Sequence, residues 1–131
     1  MADILVVEDD PMLGRMWQRA LTAAGHGVRL ARTSADARRE MMLRAAAVVL
    51  LDLNLGRESG LAFLTLAAYV NPDVRVLIAT GTNLFPRGEL FALSPNVAAV
   101  LRKPVAPSEV LALIEHHHPS GAHGPAAAMA S

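Results

Sequence analysis

The stretch AAAVVLLDLNLG, residues 45–56, runs through seven apolar residues and stops at Asp52. A run of that length is far short of the roughly 20 residues a membrane-spanning helix needs. Its valines and leucines, with no polar residue between them, suit a strand covered on both faces. A carboxylate without a partner is costly to bury, so an acid directly after such a strand marks the edge where the chain leaves the core. Asp52 is therefore read as a reactive edge residue.

Outward from this strand, residues 4–7, 28–31, 76–79 and 97–101 form further nearly continuous apolar runs, broken only by Arg29, and segments of helical period lie between them. Leu13, Met16, Trp17, Ala20, Leu21 and Ala24 recur at three- and four-residue steps as a core-facing stripe, and Gly25 then offers a stop. Thr33-Ser34-Ala35-Asp36 has capping-box spacing, with Asp36 in place of the usual Glu or Gln, and opens a helix reaching about Leu43. Ser59 is expected to cap a helix over 60–69, and Asn71-Pro72-Asp73 to turn the chain. A helix over 85–93 is expected to be short or frayed because it carries Pro86 and Gly88. Residues 107–115 make the last helix, with Val110, Leu111 and Ile114 on one face. Strands alternating with helices predict an α/β fold, a doubly wound five-stranded parallel sheet. One folded domain is expected over 1–118. Residues 119–131, rich in Pro, Gly, Ser and Ala, are too poor in large apolar groups to fold.

Composition narrows the function. Lys+Arg and Asp+Glu both number 12, so no global positive field draws the chain to nucleic acid or to an anionic membrane. Cysteine is absent, and Met1-Ala2-Asp3 lacks the basic start of a signal peptide, so a reducing cytoplasm is expected.

In a parallel sheet all strand carboxyl ends share one edge, and ligands bind in the crevice outside it. Glu8 and Asp9 follow the first strand, Asp52 the third, Thr80 the fourth and Lys103 the fifth. Gathered carboxylates raise one another's pKa unless a cation favours their charged forms. Hard oxygen donors from two or three side chains, with room for water and phosphate, suit Mg²⁺ better than a closed Ca²⁺ cage. A carboxylate can attack phosphorus, which makes Asp52 the nucleophile. Lys103 and Thr80 are the donors for the phosphoryl oxygens.

These residues sit in ILVVEDDP, VVLLDLNLG, VLIATG and VLRKP, in that order, each ending an expected strand. The combination resembles the receiver domain of two-component response regulators, over about residues 2–116. The resemblance implies a flavodoxin-like fold with strand order 2-1-3-4-5. It implies that Glu8 and Asp9 form the acidic pocket, Asp9 being the more direct metal ligand, and that Asp52 and the main-chain carbonyl of Asn54 complete the Mg²⁺ set. It also implies phosphate from a sensor histidine kinase or a histidine phosphotransfer protein, an effector protein as partner, and a cis bond between Lys103 and Pro104. Asp10, followed by Pro11, is left to cap the first helix.

Several positions depart from the family's pattern. Val100 replaces the aromatic switch residue, Val105 replaces a phenylalanine after the Lys-Pro pair, Gly56 replaces a proline, and Ala47 replaces an acid. Asn54 and Thr82 stand where the family tunes phosphate lifetime. The chain ends soon after its last helix, so a single-domain regulator without an output domain is expected, and not an enzyme in its own right. The alternative is a pseudo-receiver, a phosphorylation-independent interaction module, to which Val100 lends some weight. A phosphohydrolase of the aspartyl-phosphate type is disfavoured because Asn54 stands where an acid/base Asp is needed. A dinucleotide enzyme is disfavoured because no G-x-G-x-x-G follows the first strand. His116-His117-His118 reads as a helix terminus rather than a metal tract, His26 as part of a turn, and Phe85 and Phe91 as packing residues.

Overall fold

The computed structural model describes residues 2–55, 58–81 and 94–117. The helix expected over 85–93, Phe85, Phe91, Gly56, Thr82, His118 and the 119–131 tail lie outside the described residues. The elements are β1 (Asp3–Val7), α1 (Pro11–Ala23), β2 (Gly27–Ala31), α2 (Ser34–Leu43), β3 (Val48–Asp52), β4 (Asn54–Leu55), β5 (Glu58–Ser59), α3 (Leu61–Val70), β6 (Arg75–Thr80), β7 (Val97–Arg102) and α4 (Pro107–His117).

All five residues of β3 are buried, because this strand is the centre of the sheet. The long strands are parallel and ordered β2-β1-β3-β6-β7, which is the 2-1-3-4-5 order of a flavodoxin-like fold. Successive strand residues alternate between faces. Leu5, Val7, Val49, Leu51, Val76 and Ile78 pack with Ala37 and Met41 of α2 and Phe63, Leu64 and Ala67 of α3. Ile4, Val6, Val48, Leu50, Leu77 and Ala79 pack with Trp17 and Leu21 of α1 and Val110 and Ile114 of α4. Both faces are covered, which explains why the strands read as nearly continuous apolar runs. Each fully buried large side chain contributes about 1.5–3 kcal/mol relative to exposure.

Every long strand extends one residue beyond its apolar run at one end or both. The additions include Asp3, Gly27, Arg75 and Arg102, whose backbones stay in the ladder although their side chains are not core material. Asp52 and Thr80 are likewise the last residues of their strands.

The capping expectations hold at two helices and fail at one. Asp10 Oδ1 accepts from the Met12 and Leu13 N–H groups at 3.0 and 3.3 Å, with Pro11 at the first helical position. Gly25 closes α1 at φ +96°, a left-handed conformation that glycine adopts without strain. Thr33 Oγ1 accepts from the Asp36 N–H at 3.0 Å. Ser59 does not cap α3. β4 and β5 form a small antiparallel pair, Asn54 opposite Ser59 and Leu55 opposite Glu58, so Ser59 is held in a strand. Gly60 takes the cap position without a side-chain hydrogen bond.

Two buried polar groups hold the edge of the sheet opposite the strand carboxyl ends. Asn96 Nδ2 donates to the carbonyls of Pro72 and Val74 at 2.7 and 2.9 Å. His26 does more than fill a turn: its Nδ1 accepts from the Ala2 N–H at 3.0 Å, just before β1. Asn71 Oδ1 accepts from the Asp73 N–H at 3.2 Å, closing the expected turn.

Candidate functional site

Strand register sets the site. Val7 pairs with Leu51 and Asp52 with Ala79, so Glu8, one step past Val7, stands level with Asp52. Glu8 continues the parity of Ile4 and Val6, and Asp52 that of Val48 and Leu50, so both belong to the face that carries α1 and α4. Glu8, Asp52 and Thr80 are all buried, whereas Asp9 is exposed.

Lys103 reaches this pair from the far strand. Its N–H donates to the Thr80 carbonyl at 2.9 Å, which carries the backbone of β7 across the end of β6, and the Lys103-Pro104 bond is cis. The ammonium lies 2.9 Å from Glu8 Oε1 and 3.3 Å from Asp52 Oδ2. It is the only one of the three side chains with substantial access to solvent.

One carboxylate oxygen from each of Glu8, Asp9 and Asp52 falls in a group whose members all lie within 4.8 Å of one another. Glu8 Oε2 also accepts the Asp10 N–H at 3.3 Å. The run Glu8-Asp9-Asp10 thus divides: two acids face the cluster and the third caps α1.

The cluster's electrostatics follow from crowding in a dry place. Burial, and then the neighbouring Asp52, push the Glu8 carboxyl up to about 7, against the hydrogen bond from Lys103 that pulls it down. Burial works against the charged ammonium of Lys103, but the hydrogen bond to Glu8 and the charges of Asp52 and Glu8 outweigh it and hold its pKa above the ordinary lysine value. Three carboxylates against one ammonium leave an excess of negative charge and only oxygen donors, which fits a hard dication. Glu8 is already committed to Lys103 and Asp10 and Asp52 is paired with Lys103, whereas Asp9 is exposed. Asn54 follows in β4, two residues after Asp52.

The departing positions are accounted for where they are described. Val100 is buried in the core that includes α2 and α3, Val105 in the core that includes α1 and α4. The backbone of Ala47 is tied to both neighbouring strands, its N–H donating to Asp3 O at 2.9 Å and its carbonyl accepting from the Arg75 N–H at 3.0 Å. His116, the one residue of the histidine run whose side chain is described, is exposed at the end of α4. The double ion pair of Lys103 had no local signal, since Glu8 is 95 residues away.

The profile of the response regulator receiver domain matches residues 4–115. The chain belongs to that family. The receiver is 31% identical over 111 residues to the regulatory protein VirG of Agrobacterium fabrum, covering 85% of this chain and 44% of that protein. A VirG of Rhizobium rhizogenes is 30% identical, with 87% and 47% covered. The receiver thus spans less than half the length of these curated relatives. Among solved structures, the receiver domain of NtrX from Brucella abortus superposes with a TM-score of 0.80 at 25% identity, covering 90% of this chain and 99% of that one. A CheY-like receiver domain protein from Methanospirillum hungatei JF-1 gives 0.78 at 25%, covering 86% and 90%. A response regulator protein from Burkholderia pseudomallei, solved with a phosphorylated aspartic acid, a calcium ion and citrate, gives 0.74 at 25%, covering 84% and 64%. Among the described residues of the receiver, no helix is long and apolar enough to cross a membrane.

Proposed function

We propose that this receiver is a switch set by phosphorylation of Asp52 with Mg²⁺ bound. The observation that carries the reading is the Lys103 ammonium held between Glu8 and Asp52 beside the oxygen cluster that includes Asp9. Asp9, Asp52 and the Asn54 carbonyl would hold the cation, with Glu8 behind them. When bound, Mg²⁺ neutralises phosphoryl oxygens and lowers the barrier to attack by an anion.

The protein's own part is placement. An Asp52 carboxylate oxygen forms the bond to phosphorus as the N–P bond of a phosphohistidine on a sensor kinase or phosphotransfer protein breaks. The released imidazole nitrogen takes a proton from solvent. Lys103 is within reach to transfer its hydrogen bonds from the carboxylates to a phosphoryl oxygen, and the Thr80 hydroxyl to donate to another. The Lys103 ammonium is held in place before the reaction, which is where such stabilisation is most effective. The Burkholderia neighbour, with its phosphorylated aspartate and divalent ion, supports the same assignment. The output is a change in affinity for an effector protein, or phosphate passed onward to a histidine, driven by differential binding to two states. A cytoplasmic setting fits this role and the cysteine-free composition.

The test is intact mass after exposure to acetyl phosphate. One phosphoryl adduct that needs Mg²⁺ and is missing in Asp52→Ala is expected. A second reading, an interaction module that binds its partner without phosphorylation, is favoured by Val100, whose burial leaves no ring to change places. No adduct in a folded chain that binds Mg²⁺ would decide for that reading.

A further inference from the structure

Gly60 stands where α3 meets the end of β3. A Cβ at this position would lie 2.9 Å from the carbonyl oxygen of Asp52, 3.1 Å from Cα of Leu53 and 3.3 Å from Leu51 Cδ1. The two nearest atoms are backbone, and they belong to the segment that carries Asp52. The dihedral angles of Gly60, φ −70° and ψ −11°, lie in the region that any residue adopts. Glycine is therefore required here by space and not by conformation. Gly14 makes the contrast, since a Cβ there would meet only atoms of the Leu30 side chain, which can move aside. The Gly60 N–H donates to the Leu53 carbonyl at 2.9 Å, and its own carbonyl accepts the Leu64 N–H at 3.0 Å. One residue thus joins the first turn of α3 to the peptide that follows Asp52.

We infer that Gly60 is a positioning residue for phosphoryl transfer. Its missing side chain lets α3 sit directly on the Asp52–Leu53 peptide, and this seating sets where the Asp52 carboxylate stands relative to Glu8, Asp9 and Lys103. The inference rests on Asp52 being the phosphoacceptor. A methyl group at Gly60 would meet two backbone atoms of the Asp52–Leu53 segment, so the peptide or the helix must shift by some tenths of an ångström. The carboxylate moves with its peptide. Misplacement by 1 Å costs on the order of 100-fold in rate, so a shift of part of that costs about tenfold.

The experiment compares the native chain, Gly60→Ala and Val74→Ala, all at a temperature well below each melting point. Val74 is fully buried just before β6, at the opposite edge of the sheet, so its truncation loosens the core without touching the site. The readouts are the rate of phosphorylation by acetyl phosphate and the Mg²⁺ dissociation constant from calorimetry. Gly60→Ala is expected to react about tenfold slower and to bind Mg²⁺ more weakly, while Val74→Ala keeps both native values. Native values in Gly60→Ala overturn the inference, as does an equal loss in Val74→Ala, which would make the effect general destabilisation. If Gly60→Ala is unfolded in buffer, the comparison is repeated in trimethylamine N-oxide, which favours the compact state. A folded but slow variant there supports positioning, and a chain still unfolded makes Gly60 a folding requirement and overturns it. Failure of the native chain to react sinks the reading of Asp52 itself, and positioning falls with it.

Discussion

The ammonium of Lys103 sits between two buried carboxylates, 2.9 Å from Glu8 Oε1 and 3.3 Å from Asp52 Oδ2. Removing one partner of such an arrangement leaves uncompensated charge in a low dielectric. Lys103→Met is expected to lower stability without divalent cations by about 2 kcal/mol, less than a fully buried pair because the lysine keeps some solvent. The same change should tighten Mg²⁺ binding, since a competing cation has gone. Urea unfolding and calorimetry give both numbers, and weaker Mg²⁺ binding would contradict the proposed cation site.

The two exposed acids that open the loop after β1 have different work and should separate by mutation. Asp10→Ala removes the cap of α1 and is expected to cost about 1 kcal/mol with Mg²⁺ affinity near native. Asp9→Ala is expected to weaken Mg²⁺ at least tenfold while stability without the ion stays within about 0.5 kcal/mol of native. Paired melts and titrations of the two variants suffice, and an exchange of their phenotypes would refute the division.

Stability at the acidic cluster should fall as pH rises. An unfolded glutamate titrates near 4.5, while burial raises folded Glu8 to about 7, so the folded state holds the proton more tightly. That contribution is complete below about pH 4.5 and is lost as pH rises through about 7. Mg²⁺ competes with the same proton, so its affinity should rise over this range. Unfolding in chelator from pH 5 to 8 is expected to show the slope in the native chain and to lose it in Glu8→Gln.

His26 should act in the opposite sense. Burial lowers its pKa below the ordinary 6.5, because a charged ring is poorly solvated there; a protonated ring would also lose the acceptor that Nδ1 offers to the Ala2 N–H. Its contribution is present above about pH 6.5 and is lost as pH falls below it. His26→Leu is expected to flatten this acid limb and to cost about 1–2 kcal/mol at neutral pH by leaving an amide unsatisfied. A melt series from pH 5 to 7.5 tests both, and an unchanged acid slope would assign the titration elsewhere.

The elements readable from sequence were those whose cause is local. Val48 to Leu51 announces a strand because apolar side chains face both helix layers, and Asp10-Pro11 announces a helix start because cap and first turn are neighbours in the chain. Positions whose partners are distant were less readable. Ser59 has the chemistry of a cap, but its pairing with Asn54 holds it in a strand. His26 looked like turn material because nothing near it in sequence reveals Ala2 as its donor. Asn96 bonds the carbonyls of Pro72 and Val74 for the same reason without forewarning. The acids and Lys103 could be picked out because each lies at or just past the carboxyl end of its strand, but the ion pair joining them depends on sheet order.

That ion pair spans 95 residues, nearly the whole described chain. Loop closure over such a separation comes late, after local contacts have formed. A nascent chain emerging from the ribosome presents Glu8, Asp9 and Asp52 long before Lys103 is synthesised. Until β7 docks, its acids have no ammonium between them, and the site proposed for phosphoryl transfer is incomplete.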